Sequence, residues 1–581
     1  MERTYHVKIA RTEYAYVIVD ADSVVEQFAQ VKSSAEKEKW LAAMREELRS
    51  LVIDNKSWSV PLTQPTRAKR LKTRWIFKKK IKTDGTVRYK ARLVIKGFLQ
   101  TFGLEYGNTY APTARMTTLR LFLTLCARYK LVTRQMDVTT AFLNAPVEEE
   151  MYIDIPEGML DADLDLDEKL FDLRAIRCMG CLRLLKAIYG LKQAPHNWNE
   201  VINSFLTRDL GLYRSKYDPC LYVLSSGSGD DIQMILLLYV DDIIIGCDTK
   251  DRLINVMERL NGRFKMVDLG DIKTYLSINV ERDFDECTYD LSQTKYIDEL
   301  ETKYMVSPRE TIRTPLPEHF NIDREEERAK ETDAHRELAR NFPYREMVGA
   351  ILYLAVCTRP DIGFAASMLA RFNDDPPLVM CRMARRVLTY LFNTKNLTLK
   401  LGGKSLVLYG ACDSDWAGDK ETRRSMWSFC LFLGIGLIDW YFKLQPMVAQ
   451  SVTEAEFMTL TPLTNSIVHH RNGLEELGVV LTYSTNVFVD NTAAIATANN
   501  PQSGRRMKHI AVKYFMMRDI IEDCIIVLVH IATDDNPADI GTKSLGPKRF
   551  EMLRTMLMDG IQITKILAKY RVKKIVVKRE D

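Results

Sequence analysis

Residues 234–247 read MILLLYVDDIIIGC (Met234 to Cys247), an apolar run with two adjacent carboxylates, Asp241 and Asp242, at its centre. Leucine and β-branched residues at this density predict two buried strands, with Val240-Asp241-Asp242 where the chain must turn between them. Two carboxylates about 4 Å apart repel by roughly 4 kcal/mol at an effective dielectric of 20. A divalent cation is the simplest partner that would settle such a pair. A solvent-exposed Asp-Asp hairpin turn is the bland alternative, and the stretch alone leaves both open.

The remaining sequence narrows the class. A chain of 581 residues is too long for one core, so roughly three or four domains are expected. Its composition, 46% hydrophobic and 27% charged, is that of an ordinary globular protein rather than a disordered or fibrous one. No apolar run is long enough to span a bilayer, so no membrane partner is expected. The start, MERTYHVKIARTEY, lacks a signal-peptide core. Eleven scattered cysteines fit a reducing compartment, and the CxxC at Cys178–Cys181 has no second Cys/His pair at zinc-finger spacing.

Net charge is only +5, but its distribution is informative. Between Arg67 and Lys96 stand thirteen Lys/Arg and one acid, Asp84, with Trp75, Phe77 and Tyr89 interleaved. A solvated basic face is the usual meaning of a charge run. Cations alternating with apolar residues around an Asp84-Gly85 turn instead predict a rigid basic hairpin suited to phosphates. The tail from Lys565 to Arg579 is also basic, and reads as a frayed nucleic-acid contact or as nothing more than a charged end.

Along the chain, residues 35–51 predict an amphipathic helix with Trp40, Met44, Leu48 and Leu51 on one face. Helical patterns follow at 117–130, 194–210 and 344–393, and an acidic loop at Asp161–Asp172. Residues 321–340 are densely charged and read as a linker or exposed helix. A block of alternating strands and helices runs from near Leu406 to about Lys543. In RQMDVTTAFLNAP, Asp137 ends a strand, far in sequence from Asp241 and Asp242. Carboxylates converging from separate strands are what a metal site needs, although an Asp capping the next turn is the commoner case.

The ordered segments TRWIFKKKIKTDGTVRYKARLVIKGFLQ, YAPTARMTTLRLFLTLCA, QMDVTTAFLNAP, MYIDIPEG, AIYGLKQAPHNW, DPCLYV and LLLYVDDIIIGC resemble the reverse transcriptase of copia-type (Pseudoviridae) LTR retrotransposon Pol polyproteins. Downstream, YREMVGAILYLAVCTRPDIGFAAS, YGACDSDWAGDKETRRS, SVTEAEF, VFVDNTAAIA, MKHIAVKYFMMRDI and NPADIGTKSL are similar to the connection and RNase H of that family, so the resemblance spans about 35–545. It implies a mixed α/β (α+β) fold, a right-hand polymerase of fingers, palm and thumb followed by an RNase H-like α/β domain. The implied divisions are an N-terminal extension (1–34), fingers and palm (35–275), thumb and connection (276–400, with the linker 321–340), RNase H-like domain (401–545) and a basic tail (546–581).

Roles carry over by position. The resemblance makes Asp137, Asp241 and Asp242 the polymerase carboxylates, holding two Mg²⁺, with Mn²⁺ an acceptable substitute. It puts Phe142 beneath the incoming sugar, where a ring excludes a 2′-hydroxyl, and Gln193 in the nucleotide pocket. Lys79 and Arg92 are the expected triphosphate grips, with Lys78, Lys80 and Lys90 left open by a register uncertainty. Asp413, Glu456, Asp490 and Asp539 match the RNase H carboxylates and would hold two further ions, with Asp415 as an alternative to Asp413. Thr453-Glu-Ala-Glu456 also satisfies a capping box, which would assign Glu456 a structural role. The implied partners are RNA and DNA template–primers, RNA–DNA hybrids and deoxynucleoside triphosphates. The implied location is a cytoplasmic virus-like particle or the nucleus.

Departures from the family pattern are concentrated downstream. His196 stands where Arg is usual, and Ser277 where Gly is usual, which would strain a positive φ. Met426 and Trp427 replace small residues. Pro462 falls about two turns into the helix expected near Glu456, at about 3 kcal/mol or more and with a kink. His469-His470 and Asn472-Gly473 follow where an apolar face with a Trp is usual. These imply a decaying RNase H scaffold, with a catalytically idle relic that only binds nucleic acid as the alternative to a live polymerase. Without zinc-knuckle, protease or integrase motifs, the chain is expected to be a processed product or a truncated reading frame.

Overall fold

A computed structural model describes residues 28–65, 68–81, 86–225, 232–305, 311–499, 511–570 and 575–577. Helix α1 (Lys37–Arg49) buries Trp40, Met44 and Leu48 at helical spacing, joined by Leu51 just beyond it. It packs on an antiparallel hairpin of β1 (Thr73–Ile81) and β2 (Val87–Ile95). Strand alternation is strict: Trp75, Phe77, Ala91, Leu93 and Ile95 are buried, and the Trp40 ring meets Phe77 and Tyr89 edge-on at 5.4 and 4.7 Å. The expected Asp84-Gly85 turn and the Lys80 side chain lie outside the described residues.

The central sheet follows. Helix α2 (Met116–Arg128) leads into β3 (Val132–Val138). After α3 (Ala194–Ser204) come β4 (Tyr213–Arg214), β5 (Leu221–Ser225), β6 (Ile232–Tyr239) and β7 (Asp242–Cys247). Helix α4 (Lys250–Arg263) then precedes β8 (Met266–Gly270). The strand order is β8-β3-β7-β6-β5-β4, all antiparallel. An antiparallel strand with one wet face alternates apolar and polar residues. Here both faces are covered. Ile235, Leu237 and Ile244 join a cluster with Leu121 and Phe122 of α2. Met234, Leu236, Leu238, Ile243 and Ile245 join another with Trp198 of α3 and Leu260 of α4. The unbroken apolar run of 234–247 is the signature of that double burial.

A second sheet has the order β9-β10-β11-β12, from β9 (Thr274–Tyr275), β10 (Ile278–Asp283), β11 (Thr288–Ser292) and β12 (Leu399–Gly402). Leu276 and Ser277, at its first turn, have φ of +49° and +59°, so Ser277 occupies the left-handed position that suits glycine. The charged stretch forms two short helices, Arg324–Ala329 and Asp333–Asn341, with Ala339 their buried residue. Helices α5 (Tyr344–Cys357) and α6 (Leu378–Asn393) lie between them and β12.

The last sheet has the order β15-β14-β13-β16-β17: β13 (Leu408–Ser414), β14 (Met426–Leu433), β15 (Gly436–Leu444), β16 (Thr485–Val489) and β17 (Ile526–His530). Strands β13, β16 and β17 run parallel, and β14 and β15 complete it antiparallel. Helix α7 (Val452–Glu476) spans 25 residues and continues through Pro462. Its flanking residues Thr461 and Leu463 are buried, and tertiary packing outweighs the proline's lost hydrogen bond. Residues expected in a basic tail instead form α8 (Pro547–Met558), with Phe550, Leu553, Met556 and Leu557 buried at helical spacing. One contiguous cluster of buried side chains draws members from Ala114 through to Ile566, while Met136, Trp198 and Leu260 belong to a second. No described helix is long and apolar enough to cross a membrane.

Candidate active sites

The β3–β7 register puts Asp137 directly opposite Asp242, and Asp241 lies in the turn before β7. That turn is clamped from two sides. The Val138 N–H donates to the Asp241 carbonyl at 2.9 Å, and the Trp198 indole N–H donates to the Val240 carbonyl at 2.6 Å. Val240 has φ of +56°, a conformation that costs a β-branched residue of order 1–3 kcal/mol. Like charges directly across a strand pair are also destabilising. Burial, then Asp241 and Asp137, push the Asp242 carboxyl up to about 6, against a hydrogen bond from Gln135. A strained turn presenting three mutually repelling carboxylates fits a cation-binding site.

A second gathering of acids lies across the last sheet. Asp413 on β13, Glu456 on α7 and Asp490 just after β16 bring carboxylate oxygens within 4.8 Å of one another. Among the described residues no other three or more metal-ligating side chains come that close; Asp137, Asp241 and Asp242 are neighbours in register without reaching it. Asp413 accepts from the Thr542 hydroxyl at 2.6 Å, and Glu456 Oε1 accepts from the Ser414 N–H at 3.2 Å. Glu456 Oε2 is buried with no hydrogen-bond partner. Burial, reinforced by the neighbouring carboxylates, pushes both the Asp413 and Glu456 carboxyls up. A buried orphan oxygen among repelling acids fits a divalent cation.

The capping-box reading of Glu456 fails. Ser451 is the N-cap of α7: its hydroxyl accepts from the Glu454 N–H at 3.2 Å, and Glu454 reaches back to the Gln450 N–H at 3.0 Å. Glu456 is thereby left for the cluster. Asp539, fully buried, stands beside Asp413 but outside the group of three, at ion-pair distance from Lys543 (2.5 Å) and Arg549 (2.9 Å). Asp415 accepts from the Met426 N–H and is committed to the β13–β14 edge.

Residues 55–318 match the model of the family described as "Reverse transcriptase (RNA-dependent DNA polymerase)". The chain is 34% identical over 546 residues, 93% of its length, to the "Retrovirus-related Pol polyprotein from transposon TNT 1-94" of Nicotiana tabacum. It is 33% identical over 88% of its length to the corresponding polyprotein from transposon RE1 of Arabidopsis thaliana. The chain belongs to the copia-type retrotransposon Pol family. It spans 39% and 33% of the length of those two relatives. An uncharacterized mitochondrial protein of Arabidopsis thaliana is 35% identical over 228 residues, 90% of its own length. The second carboxylate cluster lies beyond residue 318, within the stretch shared with the Pol polyproteins.

Side chains around the first carboxylates of this Pol chain differ from the expected set. Arg92 stacks on the Tyr189 ring, its guanidinium carbon 4.2 Å from the centroid, and Phe142 meets the same ring at 5.1 Å. Tyr189 also feels the Asp241 charge, so Arg92, Tyr189 and Phe142 form a row beside the carboxylates. Lys79 does not belong to it. It lies opposite Tyr89 on the face of the hairpin that packs over α1, and pairs with Glu36 at 2.5 Å. Arg92, Lys78 and Lys90 have the opposite parity and share the other face. Gln193 is buried: its side-chain carbonyl accepts from Gln100 at 2.9 Å and its amide donates to the Glu105 carbonyl at 2.8 Å. Tyr189 and Trp198 were not singled out by sequence. Both lie in AIYGLKQAPHNW, whose resemblance assigned a role to Gln193 alone.

Proposed function

We propose that this chain is an RNA-directed DNA polymerase with an attached RNase H. The observation that carries the reading is the cross-strand pairing of Asp137 with Asp242, with Asp241 clamped in the adjoining turn. In this reading residues 35–275 are fingers and palm, β1–β2 being the fingers hairpin, and 276–400 are thumb and connection. Residues 401–545 are the RNase H-like domain.

Asp137, Asp241 and Asp242 would hold Mg²⁺, which when bound favours ionisation of a primer 3′-hydroxyl and neutralises charge on the departing pyrophosphate. Arg92, pre-oriented by its stack on Tyr189, is placed to receive phosphate oxygens with a planar fork of donors. Phe142, seated against Tyr189, would lie under the sugar and select deoxynucleotides by leaving no room for a 2′-hydroxyl. Gln193 acts one layer back, tying the start of α3 to Gln100 and Glu105. The substrates would be RNA and DNA template–primers and deoxynucleoside triphosphates.

In the second centre Asp413, Glu456 and Asp490 would be the cation ligands, and an RNA–DNA hybrid the substrate. Asp539, neutralised by Lys543 and Arg549, would act from beside the cluster. The continuous α7 supports an intact scaffold for this activity. Primer extension on an RNA template with Mg²⁺ and deoxynucleotides tests the polymerase, with Asp241→Asn/Asp242→Asn as control. Full-length product that disappears in the control is expected. A folded chain that binds primer–template but extends nothing would return the idle-relic reading.

A further inference from the structure

The second half of α7 contains choices that a helix by itself disfavours. Gly473 sits in its last turn, where glycine is among the poorest helix formers, and Glu476 ends it, where a carboxylate opposes the helix dipole. Each is matched by one segment of the central sheet, residues 215–217 between β4 and β5. A Cβ on Gly473 would lie 2.4 Å from Cδ2 of Tyr217, so only glycine admits that ring. His469 stacks on the same ring at 4.3 Å, with an interplanar angle of 23°. The Glu476 carboxylate accepts from the Ser215 hydroxyl (3.1 Å), the Lys216 N–H (2.7 Å) and the Tyr217 N–H (3.1 Å).

The receiving segment is itself fixed. Asp218 accepts from the Arg115 N–H at 3.1 Å and the Thr118 hydroxyl at 2.5 Å, tying 215–218 to the start of α2. A second peg joins the same two bodies elsewhere: Arg120 of α2 donates to the Ile438 carbonyl on β15 at 2.7 Å and stacks on Trp440 at 3.9 Å. Two of the residues that depart from the family pattern, His469 and Gly473, therefore belong to a matched surface.

We propose that the end of α7 is a built docking face, and that Tyr217, His469, Gly473 and Glu476 are positioning residues that set where RNA is cut relative to the growing DNA end. The proposal rests on the reading of both carboxylate centres given above. Helix α7 carries Glu456 near its start and is seated on the polymerase sheet about 26 Å further along, at a rise of 1.5 Å per residue. One duplex occupying both centres must then span a fixed distance. Loosening the seat leaves each centre intact and lets that distance vary.

Gly473→Ala improves helix propensity while forcing out the Tyr217 ring, and Glu476→Lys suits a helix C-terminus while losing three hydrogen bonds. Neither loss can be blamed on a weaker α7. Amide exchange at 216 and 217 should be at least ~10-fold faster in both variants of the full chain. On a labelled RNA template annealed to a DNA primer, without nucleotides, the wild type should cut in one narrow cluster at constant distance from the primer 3′ end. Both variants should spread or shift those cuts, while primer extension and total cleavage of an unprimed hybrid stay within about twofold. Unprotected amides at 216 and 217 in the wild type overturn the docking, and an unchanged narrow cluster in both variants overturns the positioning role. A wild type with protected amides that cuts no RNA overturns the RNase H reading and keeps the docking.

Discussion

The indole N–H of Trp198 holds the carbonyl of Val240, the residue whose left-handed backbone presents Asp241 and Asp242. Trp198 is buried, and its ring packs edge-on against Phe264 at 5.2 Å. Trp198→Phe keeps most of that packing and removes the donor. A lost hydrogen bond to a buried carbonyl costs about 1–3 kcal/mol. Primer extension should fall roughly 10- to 100-fold in kcat with little change in KM, because the turn rather than nucleotide binding is loosened. Steady-state kinetics on the purified variant would reveal it, and a pure KM effect would contradict this role.

Asp242 gives a pH signature. Its folded-state value, raised by burial, Asp241 and Asp137 from an ordinary 3.8 to about 6, makes the ionised form costly. Its contribution to stability is full below pH 3.8 and lost as pH rises through about 6. Asp242→Asn should therefore raise the melting temperature at pH 8 in the absence of divalent ions. The gain expected is on the order of 1 kcal/mol after screening at this half-buried site. Activity should vanish in the same variant. Thermal melts of both proteins across pH 4 to 8 make the comparison.

The orphan oxygen of Glu456 predicts a cation effect at the second centre. Millimolar Mg²⁺ should raise the melting temperature by the equivalent of ~2.7 kcal/mol if present at 100 times its dissociation constant. Asp413→Asn combined with Asp490→Asn should abolish that centre's share of the shift. A double variant that responds to Mg²⁺ like the wild type would argue against a cation at this cluster.

Arg92 and Lys79 should behave differently although both are basic and both lie on the hairpin. Arg92→Ala should raise the KM for deoxynucleotides roughly tenfold or more, the scale of a charge-assisted hydrogen bond. Lys79→Ala, whose ammonium is taken by Glu36 on the α1 face, should leave that KM within about twofold. Equal effects would place the triphosphate elsewhere.

His469 and His470 predict acid lability. Burial holds both below the ordinary imidazole value of 6.5, and the facing groups are mixed: Arg115 and Arg120 oppose protonation while Asp439 and Asp218 favour it. An unfolded chain binds protons at these sites before the folded one does, so stability should fall as pH drops below 6.5. Chemical denaturation at pH 7.5 and pH 5.5 should show the loss, reduced in His470→Gln.

How much of this was readable in advance depended on where each cause lies. The run 234–247 could be read because double burial leaves a local mark, an unbroken apolar stretch around a turn. The convergence of Asp137 on Asp242 came from ordered motifs, since pairing across about a hundred residues leaves no local trace. Lys79 could not be told apart from Arg92 because its partner, Glu36, sits at the N-cap of a helix about forty residues away, and the strand parity that separates the two is invisible until the buried face is known. Glu456 looked like a cap because a box pattern fits at two registers, and only Ser451 has the N-cap geometry. Pro462 and Gly473 looked like decay because propensity is a property of an isolated helix, whereas α7 is held by what surrounds it.

The continuous buried cluster from Ala114 to Ile566 has a consequence for cooperativity. Its members come from α2, the second sheet, the last sheet and α8, so no cut in the chain between them would leave two closed interiors. Fragments ending near residue 318 or 400 would each open a broad oily face and should self-associate when expressed alone. Heat or denaturant should melt the two carboxylate centres in a single transition. Whatever this protein does at one of them, it can keep only while the other remains folded.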